Sequence, residues 1–227
     1  MFGDFYRALA SIGYTDPIHA ALVHAPIGLV VGALVFGFAS LWLKCPSLPS
    51  TSRHCVVLAL IFWFPTVVAG LMDWQVFYGG AWLFPIKVKA VCAVILLTLL
   101  CIAAWVRQTT EGISKIILAI LALCLFTVTA LGYFGARLTF AGKVPSAPEE
   151  YSSGRWLFRE RCSSCHPNGG NIVRADMPLR GAPMLMNFTL FLAWIRNPSP
   201  PMPSFSTTTI SDDRAKELFD FVQLTMR

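Results

Sequence analysis

Four long apolar runs, at about 20–43, 55–72, 88–106 and 114–136, dominate the first two thirds of this chain. A helix crossing a bilayer needs about 20 apolar residues, and three of the runs meet that length while the second lies near its lower limit. Charged residues touch the runs only at their starts, as Lys89 does in the third. Trp42, Trp63, Trp74, Trp82 and Trp105 fall mostly near the ends of the runs, as an interfacial aromatic belt requires. Ahead of the first run, Phe2, Phe5, Tyr6, Leu9 and Ile12 recur at helical spacing, which reads either as a helix lying along the membrane surface or as a polar tail. The pattern changes after about residue 139. Residues 143–150 form a Pro-rich polar linker of semi-rigid character, and helical patterns return as short segments. Gly154–Phe158 leads toward Cys162, Phe188–Arg196 is stopped by Asn197-Pro198, and a last helix begins at Ser211 with Leu218, Phe221 and Val222 on one face. The expected fold is all-α: a four-helix transmembrane domain over 1–142, a linker over 143–150, and a small soluble domain over 151–227.

Composition supports the membrane reading. Hydrophobic residues make up 56% of the 227 and charged residues only 13%, about half the share usual in a soluble domain. The net charge of +6 is spread over short segments, so nucleic acid is not an expected partner. The first sixteen residues carry Asp4, Arg7 and Asp16 and do not resemble a cleaved signal peptide, so the first span is expected to be an uncleaved anchor. Of seven cysteines, Cys92, Cys101 and Cys124 sit in apolar runs, and Cys45 and Cys55 flank the first loop. No structural disulfide is expected. Lys44 and Arg53 in that loop, with Arg107 and Lys115 against Glu111 in the third, place both loops on the cytoplasmic side. Both termini then lie outside, in a bacterial inner membrane.

The densest chemistry is Cys162-Ser163-Ser164-Cys165-His166. Two thiols three residues apart, followed directly by histidine, form the attachment signature of a c-type haem. Each thiol adds across one vinyl group, and the next residue sets an imidazole against the iron. A zinc half-site or a redox dithiol also uses Cys-x-x-Cys. Zinc, however, needs a second ligand pair, which the last sixty residues do not contain, and a dithiol does not need the adjacent histidine. Four methionines, Met177, Met184, Met186 and Met202, are candidates for the opposite side of the iron.

Residues 151–227 resemble class I cytochrome c in its compact bacterial form. The matching features are Gly154 with Phe158, the Cys-Ser-Ser-Cys-His motif, Gly181-Ala182-Pro183, Trp194-Ile195-Arg196-Asn197-Pro198, Met202-Pro203-Ser204-Phe205 and a closing helix with Phe221. The resemblance implies one covalent haem c held by Cys162 and Cys165, with His166 and Met202 as iron ligands and Trp194 among the haem contacts. It further implies that the Pro183 carbonyl accepts the proton of the second His166 nitrogen, and that Gly154 and Phe158 meet Phe221 where the first and last helices cross. His/Met ligation implies a fairly high reduction potential and no open coordination site. An electron carrier is expected rather than an independent enzyme.

His19-Ala20-Ala21-Leu22-Val23-His24-Ala25-Pro26-Ile27-Gly28, Gly70-Leu71-Met72-Asp73-Trp74 and Gly132-Tyr133-Phe134-Gly135-Ala136-Arg137-Leu138 resemble a family of small bacterial four-helix membrane domains of unknown function. Ionisable groups within a membrane are costly and point to function. His24 lies about 10 Å into the first helix, and His19, Asp73 and Lys89 fall near the same leaflet. The four residues form either a quinol site, a b-type haem site, or a structural or subunit-docking cluster. Against the haem, His19 and His24 share one helix, and His54 starts at the opposite face. Gly28 and Gly32 are read as a close helix-packing pair. The expected partners are the lipid bilayer and other membrane or periplasmic redox proteins, within a respiratory or photosynthetic complex. Oxidation of a membrane quinol is the alternative role.

Overall fold

The structure is a computed structural model that describes residues 2–14, 16–43, 45–109, 114–140 and 142–227. Lys44 and Glu111, and the side chains of Phe2, Arg7 and Arg107, all used in the sequence reading, lie outside what is described. The elements are α1 (Phe2–Ser11), α2 (Ile18–Leu22), α3 (His24–Ala39), α4 (Ser47–Tyr78), α5 (Phe84–Thr109), α6 (Lys115–Phe140), α7 (Ser152–Arg161), α8 (Phe188–Arg196) and α9 (Asp212–Met226). There is no strand among the described residues. The chain divides into two compact units: residues 17–73 with 86–134, and residues 1–16, 74–85 and 135–227.

Among the described residues, four stretches are long and apolar enough to cross a membrane: Ile18–Ala39, Ser47–Phe77, Phe84–Val106 and Lys115–Leu138. The second is much longer than its apolar run, because the polar residues 47–54 continue the helix. Pro26 lacks the N–H that would bond the Leu22 carbonyl, so the hydrogen-bond ladder is interrupted between α2 and α3 while Val23 keeps helical angles (φ −59°, ψ −25°). Each helix buries one narrow stripe: Val30 and Ala33 on α3, Val56 and Ala59 on α4, Leu96, Leu100 and Ala103 on α5, and Ile117, Leu121, Cys124 and Val128 on α6. These residues recur every three or four positions, the spacing that keeps one face inward. Polar ties cross between helices, from Ser52 Oγ to the Ala33 carbonyl at 2.8 Å and from Trp63 Nε1 to the Ala93 carbonyl at 3.1 Å. Trp63 therefore serves the bundle rather than an interfacial belt. A Cβ at Gly28 would meet nothing within 4 Å, and one at Gly32 would only reach ordinary contact with Cys55 Sγ at 3.5 Å. Among the described residues, neither glycine therefore allows an approach that a side chain would forbid.

The second unit contains a small helical core. Helix α7 crosses α9 at Gly154, where a Cβ would stand 2.9 Å from the Phe221 Cβ and closer still to the Glu217 carbonyl. Only glycine permits that approach. Phe158 and Phe221, both fully buried, meet beside it at 5.6 Å between ring centroids, as the resemblance to class I cytochrome c implies. Asn187 caps α8 by accepting from the Leu190 N–H at 2.9 Å, and Ser211 caps α9 by accepting from Arg214, with Asp212 and Asp213 in its first turn. Residues 142–148 lie against this core rather than forming a free linker. Val144 and Ala147 pack on the buried cluster, the Lys143 carbonyl accepts from the Asn168 N–H at 2.6 Å, and Gly142 runs so close to Ser163 that a Cβ would collide with its backbone. In the same unit, Tyr6 of α1 is buried against Phe77, 5.2 Å between centroids.

Candidate haem site and membrane cluster

Helix α7 ends at Arg161, and the Cys162–His166 motif forms the turn that follows it, not the opening of a helix. The Cys162 carbonyl accepts both the Cys165 N–H at 3.1 Å and the His166 N–H at 2.8 Å, so the two thiols keep helical i, i+3 spacing. Ser163, between them, is buried and returns its hydroxyl to the Arg159 carbonyl at 2.8 Å. Both thiols are free. Burial pushes the Cys162 thiol up to about 12, Cys165 beside it adds to the shift, and Arg161 opposes it. Burial likewise lowers His166 below the usual imidazole range, with its bond to Gly170 acting in the other direction.

That bond corrects one expectation. The His166 Nδ1–H donates to the carbonyl of Gly170 at 2.9 Å, not to that of Pro183. After the motif the chain turns through Pro167–Gly169, with Asn168 at φ 56° and Gly169 at φ 79°. Two successive left-handed residues fold the Gly170 carbonyl back under the imidazole. The ring is fixed in the Nδ1–H tautomer, which leaves the Nε2 lone pair for a metal. Pro183 instead opens a short 3₁₀ turn, Pro183–Met186, that inserts Leu185 into the core.

Of the four methionines, Met177 and Met186 are exposed, at 45% and 66%. Met184 and Met202 are half-buried and pack on the same apolar cluster as Cys162, Leu179, Ala182 and Leu192. Trp194 on α8 is half-buried. The donor set fits a c-type haem: an i, i+3 thiol pair, an imidazole with one nitrogen satisfied and the other unbonded among the described residues, and thioethers on the adjoining apolar surface. A haem bound there would supply a one-electron ferric/ferrous couple. The chain's own contribution is to hold the two sulfurs, orient the imidazole and keep water from the apolar wall.

In the other unit, three ionisable residues from different helices converge. His19 on α2 donates its backbone N–H to Asp73 Oδ2 at 2.9 Å and its Nδ1–H to the Thr66 carbonyl at 2.8 Å. Its Nε2 faces Lys89 Nζ at 3.4 Å. Gly70 makes room for the ring, since a Cβ there would stand 3.0 Å from His19 Nδ1. Asp73 is 6% exposed. His24 does not join them. Helix α3 buries Pro26, Val30, Ala33 and Gly37, and His24 lies off that stripe, exposed, with Nδ1 at 3.2 Å from the Ala21 carbonyl. His54 is also exposed. With both His19 nitrogens engaged and no second histidine facing it, the described residues do not fit a b-type haem held within one chain.

Residues 15–148 match a family described as predicted membrane protein (DUF2231). The chain belongs to that family. Its DUF2231 part continues directly into residues 149–222, which match the family described as cytochrome c oxidase, cbb3-type, subunit III. Over 85 residues the chain is 29% identical to cytochrome c6 of Nostoc sp. (strain PCC 7120), an alignment that covers 36% of this chain and 75% of that protein. No solved structure matches the chain. This DUF2231 protein therefore carries a cytochrome c domain, of the type that binds covalent haem c, after a multi-pass membrane domain. Sequence reasoning missed the Gly170 carbonyl and the Gly70 cradle. A glycine among large apolar residues, beside a histidine on another span, was the available signal for the cradle.

Proposed function

We infer that this protein is a membrane-anchored monohaem c-type cytochrome that relays electrons on the periplasmic face of a bacterial inner membrane, as a subunit of a respiratory or photosynthetic complex. The observation that carries this reading is the Cys162–His166 turn, with its thiols at i, i+3 and its imidazole locked in the tautomer that leaves Nε2 free. Met202 is the second iron ligand. Of the four candidate methionines, it is one of the two that pack on the apolar cluster beside Cys162, and it lies between Pro201 and Pro203. Trp194 borders the haem, and Pro183 acts by setting Leu185 in its wall. Residues 151–227 make up the haem-bearing domain, with 143–150 as its strap to the spans. The match to a cbb3-type subunit supports a redox complex as the setting.

A pyridine haemochrome spectrum of the purified protein is expected to show one covalent c-haem per chain and no extractable b-haem. Absence of covalent haem, or its retention in Cys162→Ser with Cys165→Ser, overturns the reading. Met202→Ala is expected to abolish the long-wavelength methionine–iron band.

The convergence of His19, Asp73 and Lys89 favours a second role, in which the membrane part takes protons and electrons from a quinol and the haem receives the electrons. Lys89 faces the His19 Nε2 while Asp73 holds the His19 backbone N–H, so a basic group and an imidazole nitrogen meet where a docked hydroxyl could exchange a proton. Quinol-driven haem reduction that is slowed tenfold or more in His19→Ala and Lys89→Ala, with dithionite reduction unaffected, supports this role. Equal quinol rates in both variants and the parent refute it.

A further inference from the structure

The turn that carries Met202 has few ties of its own. Its Met202 N–H reaches the Ser199 carbonyl at 3.3 Å, and the next fixed points lie at Phe205, whose N–H donates to Ile195 at 2.9 Å and whose carbonyl accepts from Arg196 at 2.7 Å. What backs the turn comes from elsewhere in the same compact unit. Pro201, the residue before Met202, lies against Gly79 in the connection between α4 and α5. A Cβ on Gly79 would stand 2.9 Å from the Pro201 Cγ and 3.1 Å from its Cβ.

That connection is built as a firm surface. Gly79 at φ 56° and Gly80 at φ 73° turn the chain off α4 in a left-handed conformation that side chains resist. The Gly80 N–H donates to the Trp74 carbonyl at 3.1 Å, the Ala81 N–H donates to Tyr78 at 2.9 Å, and the Trp74 indole N–H donates to the Ala81 carbonyl at 2.8 Å. Trp82 rests on Trp74 with 4.5 Å between ring centroids. Gly79 thus does two things with one missing side chain: it makes the turn and it admits the proline ring.

We propose that the α4–α5 connection is the seat of the Met202 turn, which makes Gly79 and Pro201 positioning residues for the bond between the Met202 thioether and the haem iron. The inference rests on Met202 being the second ligand. A thioether is a weak ligand that stabilises the ferrous state. A turn free to swing therefore weakens the bond, dims the ferric methionine–iron band and lowers the reduction potential.

The test uses the full-length, haem-loaded protein in detergent. Gly79→Val fills the space against Pro201. Pro201→Ala removes the ring atoms that touch Gly79 without straining α4, and carries the test alone if Gly79→Val does not fold. Both variants are expected to lose at least half of the ferric band at room temperature and to show a lower midpoint potential, while the haem stays covalently attached. Unchanged band and potential in Pro201→Ala, with the band absent from Met202→Ala, overturn the seat and leave the ligand assignment standing. A band that persists in Met202→Ala overturns the ligand assignment instead. A variant that only melts at lower temperature, with band and potential intact, shows structural support alone and likewise refutes the proposal.

Discussion

Gly154→Ala sets two effects of opposite sign against each other at the α7–α9 crossing. In a helix interior alanine is favoured over glycine by about 1 kcal/mol, so local propensity alone predicts a more stable protein. The crossing predicts the reverse. The new methyl would stand 2.9 Å from the Phe221 Cβ and closer to the Glu217 carbonyl, whereas carbon atoms rest about 3.5–4.0 Å apart, so the helices must part by roughly 1 Å. A gap of that size forfeits about a quarter to a half of the dispersion well for each contact across it. The contacts affected include Leu157, Phe158, Leu218, Phe221 and Val222, all buried at this core. Each such side chain contributes about 1.5–3 kcal/mol when buried, so losing a quarter to a half over the five costs about 2–7 kcal/mol, and the net destabilisation after alanine's gain is about 1–6 kcal/mol. For a domain of this size that is a drop in Tm of at least about 5 °C. The assay is thermal melting of the full-length protein followed by Soret circular dichroism, with Ser153→Ala, which removes only an exposed hydroxyl bonded to Glu217, as the comparison. A Gly154→Ala midpoint equal to or above the parent's would refute the close-approach argument.

Arg196 spans three partners: the Phe205 carbonyl at 2.7 Å, the Ile210 carbonyl at 2.8 Å and Asp212 at 2.5 Å. Arg196→Ala is expected to cost about 2–4 kcal/mol in urea unfolding, because two half-buried carbonyls lose a charged donor, and Arg196→Lys to recover less than half, because an ammonium cannot span the fork. Ser52→Ala removes a buried interhelical bond to Ala33; bonds of this kind contribute about 0.6 kcal/mol in a membrane, so only a small shift in detergent-unfolding midpoint is expected, and a loss several times larger contradicts it. Cys45 is exposed, and the Ser47 hydroxyl at 3.2 Å, helped by the N–H groups of Ser47 and Leu48, holds its thiol below the ordinary range. A depressed pKa means thiolate at lower pH, so alkylation of Cys45, read by mass spectrometry, is expected to begin at a lower pH in the parent than in Ser47→Ala. The proposed orientation predicts that an impermeant maleimide labels Cys45 in inverted vesicles but not in spheroplasts, and the reverse result refutes it.

What could be read from the sequence was what short-range chemistry decides. The Cys-x-x-Cys-His motif and the start of α9 at Ser211 each depend on residue types at fixed offsets, and the structure keeps those offsets, whereas the meeting of Gly154 and Phe158 with Phe221 is implied by the resemblance to class I cytochrome c. What could not be read depends on which way a side chain faces. Hydropathy gave the depth of His24 but not its face, because residues such as Val31, Val35 and Phe38 make the outer side of α3 as apolar as the inner. In lipid both faces are apolar, so the periodicity that marks the inside of a soluble helix is erased. The Pro-rich stretch 143–150 reads as a semi-rigid linker because its composition is polar and rich in proline. Two small apolar residues, Val144 and Ala147, are enough to tie it to the core. The partner of His166 differs for a third reason: it is set by the backbone angles of Asn168 and Gly169, which a resemblance carried by motifs does not convey.

A single span would tether a cytochrome domain, and four need a reason. Two features of the fold supply reasons that a lone helix could not. Helix α4 carries Thr66, Gly70 and Asp73, and α5 carries Lys89, so the His19 cluster exists only where at least three helices meet. Then α4 and α5 must be joined, and their connection presents Gly79 to Pro201. If the spans served only as an anchor, changes at Gly79 and at Lys89 would alter expression and melting together and leave the haem's spectrum and quinol reduction untouched. If they serve electron transfer, the two sites separate: the band and potential follow Gly79, and the rate of quinol-driven reduction follows Lys89. The direction of that separation distinguishes a tether from a working part of the cytochrome.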